Sequence, residues 1–270
     1  MKIQRITLDY QNEQTNALVF LPDMDMENEG HIKSTFAILT HGYTSDKSSI
    51  INWPIRLAEA GVSCVLFDIP GHYLGNYSEV RDFDYFKDHA HELFLSAFKK
   101  LEENFIEEFP LYGHLLEKDQ LKLVLGGHSL GAMLSLKALM LPAFSQYEKR
   151  ALAVGLGMAP KDVVHLFDTP FYKSTLNVRE QLVSPELRPD NVFPWIKEEK
   201  EILEITGQHI HLITGVDDLV VGEDGMERFA ESLIAKKNTV TFEKPTKLPH
   251  QDPQLAAPHV KKYLKTIGWL

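Results

Sequence analysis

Residues 121–139 read LKLVLGGHSLGAMLSLKAL, and inside them Gly127-His128-Ser129-Leu130-Gly131 fits the pattern G-x-S-x-G. In that pattern a sharp turn from strand to helix lifts the serine hydroxyl clear of the backbone. The glycines give steric room, because a side chain two residues before or after the serine would collide where strand and helix pack closest. The bland alternative is a serine that merely caps the following helix. A serine hydroxyl is a poor nucleophile at neutral pH, so it needs a base to take its proton and a third group to hold that base. Both types stand downstream. HLITGVDDLVVGEDG places Asp217 and Asp218 directly after an apolar run, and KLPHQDP places His250 in a proline-flanked loop. Serine, acid, histidine is the chain order that such an elbow requires. Among the 12 histidines, His259 falls in a helical pattern, and His209 and His211 fall in a strand, whereas His250 stands in a loop before the last helix. Register with Val221 favours Asp218 as the orienting acid and leaves Asp217 as the alternate. Whichever does not orient His250 faces solvent or caps the turn.

The elements that must position these groups alternate. Arg5 to Asp9 and Asn16 to Leu21 read as an opening hairpin, followed by the acidic loop PDMDMENEG at 22–30. Strands are predicted at 36–40, 62–67, 121–125, 151–158, 209–214 and 239–242. Helices are predicted at 50–60, 225–235 and 258–267, one begins at the elbow, and one long apolar stripe runs from Tyr85 to Phe105. Short apolar strands separated by helices imply an α/β fold, a mostly parallel sheet covered on both faces. Ligands of such sheets bind beyond the carboxyl ends of the strands, which is where Ser129, the two aspartates and His250 stand. Residues 161–206 break the rhythm with prolines and aromatics, among them Phe171, Tyr172, Phe193 and Trp195.

A chain of 270 residues with 44% hydrophobic content buries a large core. A net charge of −10 argues against a nucleic-acid groove or an anionic membrane surface as the main partner. The single cysteine, Cys64, permits no internal disulfide. With no signal-like N-terminus and no uninterrupted apolar stretch of membrane-spanning length, the expectation is a cytoplasmic protein of one domain, residues 1–270.

These segments, together with THGYTSD after the third strand and FDIPGH after the fourth, resemble the α/β-hydrolase superfamily, especially its microbial serine esterase and lipase-like members, over nearly the whole chain. The resemblance implies a three-layer α/β/α sandwich with a roughly eight-stranded sheet, and a lid inserted after the sixth strand at 161–206. It implies that His41-Gly42 shapes an oxyanion loop, with the backbone N–H groups of Tyr43 and Leu130 aimed at developing negative charge. His41, Gly42, His128, Phe171, Tyr172 and Trp195 are the expected substrate-lining set, although the aromatics equally suit a core beneath the lid. His41 reads as a structural hydrogen-bonding residue, and His72 as a brace for its loop. Tyr73 stands where a glycine commonly follows in the family, which alters the pocket wall.

Asp88-His89-Ala90-His91-Glu92 could suggest a metal, but neighbours on a helix point in different directions and no second spaced set exists. GLGMAP at 155–160 lacks the remainder of a phosphate-binding fingerprint. The leading expectation is therefore a serine hydrolase of carboxyl esters with small to medium acyl or alcohol groups, working through Ser129, His250 and Asp218 without metal or cofactor. Thioesters, amides or a C–C bond next to a ketone are the alternative substrates of the same triad. A non-catalytic binding protein on the same fold is the alternative from another class.

Overall fold

The computed structural model describes residues 1–23, 31–159 and 169–270; most of the acidic loop at 22–30 and the first part of the 161–206 excursion lie outside them. Eight strands form one sheet in the order β1-β2-β4-β3-β5-β6-β7-β8. β1 (Lys2–Tyr10) and β2 (Glu13–Leu21) make the antiparallel hairpin, and β2 pairs antiparallel with β4 (Ser63–Phe67). From β4 onward every pairing is parallel, through β3 (Thr35–Thr40), β5 (Lys122–His128), β6 (Glu148–Val154), β7 (His209–Ile213) and β8 (Thr239–Glu243). Parallel strands need crossovers, and these carry the helices to both faces.

On one face α1 (Asn52–Ala58) and α9 (Ala257–Thr266) bury Trp53, Leu57, Val260 and Leu264 against Ala37, Leu39, Cys64 and Leu66 of the sheet. On the other, α2 (Phe83–His89), α3 (Leu93–Glu108), α4 (Leu130–Ala138) and α8 (Gly225–Ala235) cover Phe36, Ile38, Val65 and Phe67. Phe94 packs edge-on to Phe67 with centroids 5.1 Å apart, and Phe105 to Phe36 at 5.3 Å. Such side chains contribute about 1.5 to 3 kcal/mol each by burial alone.

Two predicted elements differ. The apolar stripe of 85–105 is continuous, but its backbone is not one helix: a 3-10 turn at Ala90–Glu92 separates α2 from α3. An apolar stripe reports which face is buried and is blind to a short change of winding. The sixth strand runs from Glu148 to Val154 rather than 151 to 158, because β5 pairs with it residue for residue up to His128↔Val154. Gly155 then turns the chain out of the sheet at φ 64°, which places residues 155–159 in a loop. Between β6 and β7 the described chain is helical, with α5 (Pro170–Ser174), α6 (Leu176–Gln181) and α7 (Pro189–Ile202).

Candidate active site

The elbow is built by the tight approach of β5 and α4. Ser129 has φ 50° and ψ −111°, a conformation that costs an ordinary side chain roughly 1 to 3 kcal/mol. The surroundings over-determine it. Ser129 N–H donates to the Val154 carbonyl at 2.8 Å, and its own carbonyl accepts from Met133 N–H at 3.0 Å. A Cβ on Gly127 would lie 2.6 Å from the carbonyl oxygen of Thr40, and one on Gly131 would lie 2.3 Å from that of His41. Both are backbone atoms that cannot swing away, so only glycine fits. The Ser129 side chain makes no capping bond to α4, so the helix-capping alternative is not realised.

Ser129 Oγ stands 3.2 Å from His250 Nε2, and His250 Nδ1 stands 2.8 Å from Asp218 Oδ2. A carboxylate only accepts, so the proton lies on Nδ1 and Nε2 offers its lone pair to the serine hydroxyl. Asp218 is 2% exposed, and its other oxygen accepts the N–H groups of Val220 and Val221, both at 2.9 Å. Those bonds satisfy the buried carboxylate and fix its second oxygen on the histidine. Asp217 serves the loop instead. Its Oδ1 accepts Leu248 N–H at 2.8 Å, tying the segment that carries His250 to the end of β7. Trp53 supports that loop from behind, donating Nε1–H to the Pro253 carbonyl at 2.9 Å.

His128 lies beside this line. Its ring centroid is 4.7 Å from that of His250, with 52° between the planes. Gly42 and Gly155 leave the space it fills, since their Cβ atoms would stand 2.6 Å from His128 Nδ1 and 2.9 Å from Nε2. Burial, then the neighbouring His250, holds the imidazole well below its usual pKa, so His128 is a neutral wall. His41 is similar: Nε2 accepts Ile69 N–H at 2.9 Å, which leaves Nδ1 to donate to the Gly42 carbonyl at 2.8 Å. Burial lowers its pKa to about 4, so the Asp68 oxygen 3.6 Å from Nε2 faces a neutral ring. Asp68 is satisfied instead by Lys47, whose N–H and ammonium both donate to it. Its position directly after β4 was the sequence signal for that anchor. Burial lowers His72 to a pKa of about 3, and its Nδ1 meets the Pro70 carbonyl at 3.1 Å.

Among the described residues neither Tyr43 N–H nor Leu130 N–H, the two expected oxyanion donors, reaches a backbone carbonyl. Tyr43 ties its hydroxyl to the Leu187 carbonyl at 2.6 Å and packs edge-on to Phe193 at 5.2 Å, and Phe193 packs on Tyr172 at 5.5 Å. Tyr172 thus joins the aromatic wall next to the Gly42 loop. Trp195 is brought elsewhere, buried against Phe83 and Phe86 with Nε1–H on Glu199; it anchors α7 to α2. Phe171 belongs to α5, and its side chain lies outside what is described. Among the described residues no group of His, Cys, Asp and Glu is arranged to hold a metal ion, and no helix is long and apolar enough to cross a membrane.

Comparison with known proteins agrees with this architecture. No curated protein matches the chain. A thermostable carboxyl esterase from Bacillus coagulans, solved with glycerol, superposes with a TM-score of 0.65 at 14% identity, over 99% of this chain and 98% of that one. A lidless serine hydrolase from Xanthomonas campestris gives 0.54 at 16% identity, over 97% and 94%. Acylaminoacyl peptidase from Pyrococcus horikoshii gives 0.57 at 13%, over 99% of this chain but 41% of the longer one. At such identities these structures speak to the fold. A sequence model described as the alpha/beta hydrolase family matches residues 37–257, from β3 to the start of α9, and so includes the elbow, the acid and the histidine. The chain therefore belongs to the alpha/beta hydrolase family and is a hydrolase.

Proposed function

We propose that the protein is a serine hydrolase of carboxyl esters with small to medium acyl or alcohol groups. One observation carries the reading: the unbroken line from Asp218 Oδ2 through His250 to Ser129 Oγ, with contacts of 2.8 and 3.2 Å. In the proposed cycle Ser129 Oγ bonds to the ester carbonyl carbon while its proton passes to His250 Nε2. Asp218 stabilises the resulting imidazolium without taking its proton. The carbonyl oxygen, now negative, meets the N–H groups of Tyr43 and Leu130, each a donor worth roughly 3 to 4 kcal/mol in such sites. Collapse breaks the C–O bond, and His250 protonates the departing alcohol. Water then repeats the sequence on the acyl-enzyme, giving the acid and free Ser129. No metal or organic cofactor enters these steps.

Thioesters, amides and ketone-flanked C–C bonds are the second reading, since the same triad and oxyanion donors serve any acyl carbon. The helices α5 to α7 are proposed as the cap over this site, and a reducing, cytoplasmic setting suits the buried Cys64 thiol. The test is hydrolysis of p-nitrophenyl esters of graded acyl length beside matched acyl thioesters, with folded Ser129→Ala as control. Ester turnover that exceeds thioester turnover and vanishes in the variant supports the reading. Full activity of Ser129→Ala would overturn it.

A further inference from the structure

A cation that the proposed cycle does not use is bonded to the proposed oxyanion loop. Arg179, on α6, donates from one terminal nitrogen to Thr44 Oγ1 at 2.9 Å and from Nε to Thr175 Oγ1 at 3.3 Å. Thr44 directly follows Tyr43, holds a left-handed φ of 57°, and donates its hydroxyl to the Tyr43 carbonyl at 2.8 Å. The guanidinium is thus one hydroxyl away from the main chain of the proposed oxyanion donor. Its face lies 5.0 Å from the Tyr172 ring centroid, and Tyr172 leads through Phe193 to Tyr43 along the aromatic wall.

Two features mark this arginine. Among the described residues it forms no ion pair, in a chain whose formal net charge is −10. Nearby Glu180 and Asp190 are close enough to act on the Tyr43 phenol, yet neither is paired with the guanidinium. A guanidinium has five N–H donors in a rigid fork, and Arg179 commits two of them, both to neutral hydroxyls. Its second terminal nitrogen keeps its donors, while stacking and two hydrogen bonds hold the plane in place. A half-buried cation, immobilised but not neutralised, is set up to take a planar anion by two parallel hydrogen bonds.

We propose that Arg179 is a specificity residue that binds a carboxylate carried by the ester, so that the preferred substrates are anionic esters with an apolar body against the Tyr172–Phe193–Tyr43 wall. This rests on the hydrolase reading above. The carboxylate has two possible positions, on the acyl or on the alcohol side, and the experiment separates them. Mono-4-nitrophenyl glutarate against 4-nitrophenyl butyrate tests the acyl side, and 4-acetoxybenzoate against phenyl acetate tests the alcohol side. In the wild type, kcat/KM should favour the anionic member of one pair. In Arg179→Gln that preference ratio should fall about 10- to 100-fold, as expected for loss of a charge-assisted hydrogen-bond pair, with the change residing mainly in KM. Arg179→Lys, which keeps the charge and loses the fork, should retain part of it. A wild type without preference in either pair, or an Arg179→Gln ratio equal to wild type, overturns the proposal and leaves Arg179 as a strut between α6 and the loop.

Absence of turnover on all four esters would count against the ester-hydrolase reading, and binding then decides the question of Arg179. Calorimetric titration of mono-4-nitrophenyl glutarate and of 4-acetoxybenzoate onto Ser129→Ala and onto Ser129→Ala/Arg179→Gln supports the proposal if binding weakens at least tenfold in the double variant. Equal binding, or none to either protein, overturns it.

Discussion

At the level of single residues, the site separates its histidines by environment. His250 has a carboxylate on one nitrogen and the serine on the other, whereas His128, almost in contact with it, is buried and held neutral. Burial therefore keeps His128 from adding a proton to the site in the working range. Log kcat/KM should fall on the acid side with unit slope, because protonated His250 cannot accept the Ser129 proton. A limiting slope of two would show that His128 titrates as well. Asp218→Asn should leave the fold intact and lower kcat by about 10⁴-fold, since an amide favours the wrong tautomer of the histidine. Asp217→Asn, which touches Leu248 rather than the ring, should cost far less, and steady-state kinetics on the two variants distinguishes them.

Among the elements, the elbow is a junction that two glycines make possible. Gly131→Ala drives a Cβ to 2.3 Å from the His41 carbonyl oxygen, so either α4 or the oxyanion loop must shift. The expected outcome is a loss of at least about 1 to 3 kcal/mol of stability, the range for overpacked side chains, because the atoms met here are backbone, with a fall in activity. Denaturant unfolding and ester assays check both. Phe105→Ala, remote from the site, should instead cost about 3 to 5 kcal/mol as a core truncation while sparing kcat. The elbow was legible in the sequence because the glycines that build it lie within two residues of Ser129 and the chemistry of the pattern is local. The partners in the line to Ser129 were legible because they follow predicted strands, and register with Val221 favoured Asp218, the aspartate that contacts His250. Other features were not. The break at Ala90–Glu92 leaves the apolar stripe unbroken, and the end of β6 is set by pairing with β5 rather than by its own apolar run. Trp195 read equally as a pocket aromatic or as core, and only its packing on Phe83 and Phe86 of a distant element decides for the core. The bond from Arg179 to Thr44 spans 135 positions, and no local pattern announces it.

For the molecule as a whole, the same burial that keeps the auxiliary histidines neutral makes the fold sensitive to acid. His41 and His72 are fully buried and His128 is 7% exposed, and their pKa values are lowered to about 4, about 3 and well below normal. In the unfolded chain each returns to about 6.5 and binds a proton that the folded form refuses. Stability is therefore fully present above about pH 6.5 and is lost as the pH falls towards 4, by up to about 1.4 kcal/mol per pH unit for each group. Three such groups approach 4 kcal/mol per unit, a large share of the roughly 5 to 15 kcal/mol that holds a domain together. Denaturant unfolding between pH 7 and 4.5 should show this slope, and His72→Asn should make it shallower by about one proton. A flat profile would mean that these rings accept protons in the fold.

The proposed function rests on Ser129 as a nucleophile activated by His250. The most direct measurement of that role is the intact mass of the protein after exposure to a fluorophosphonate, with peptide mapping of the adduct, for wild type, Ser129→Ala and His250→Ala. One adduct per chain is expected on the peptide containing Ser129, none in Ser129→Ala, and labelling slowed by orders of magnitude in His250→Ala. An adduct on another residue, or no adduct on folded wild type, would contradict the assignment.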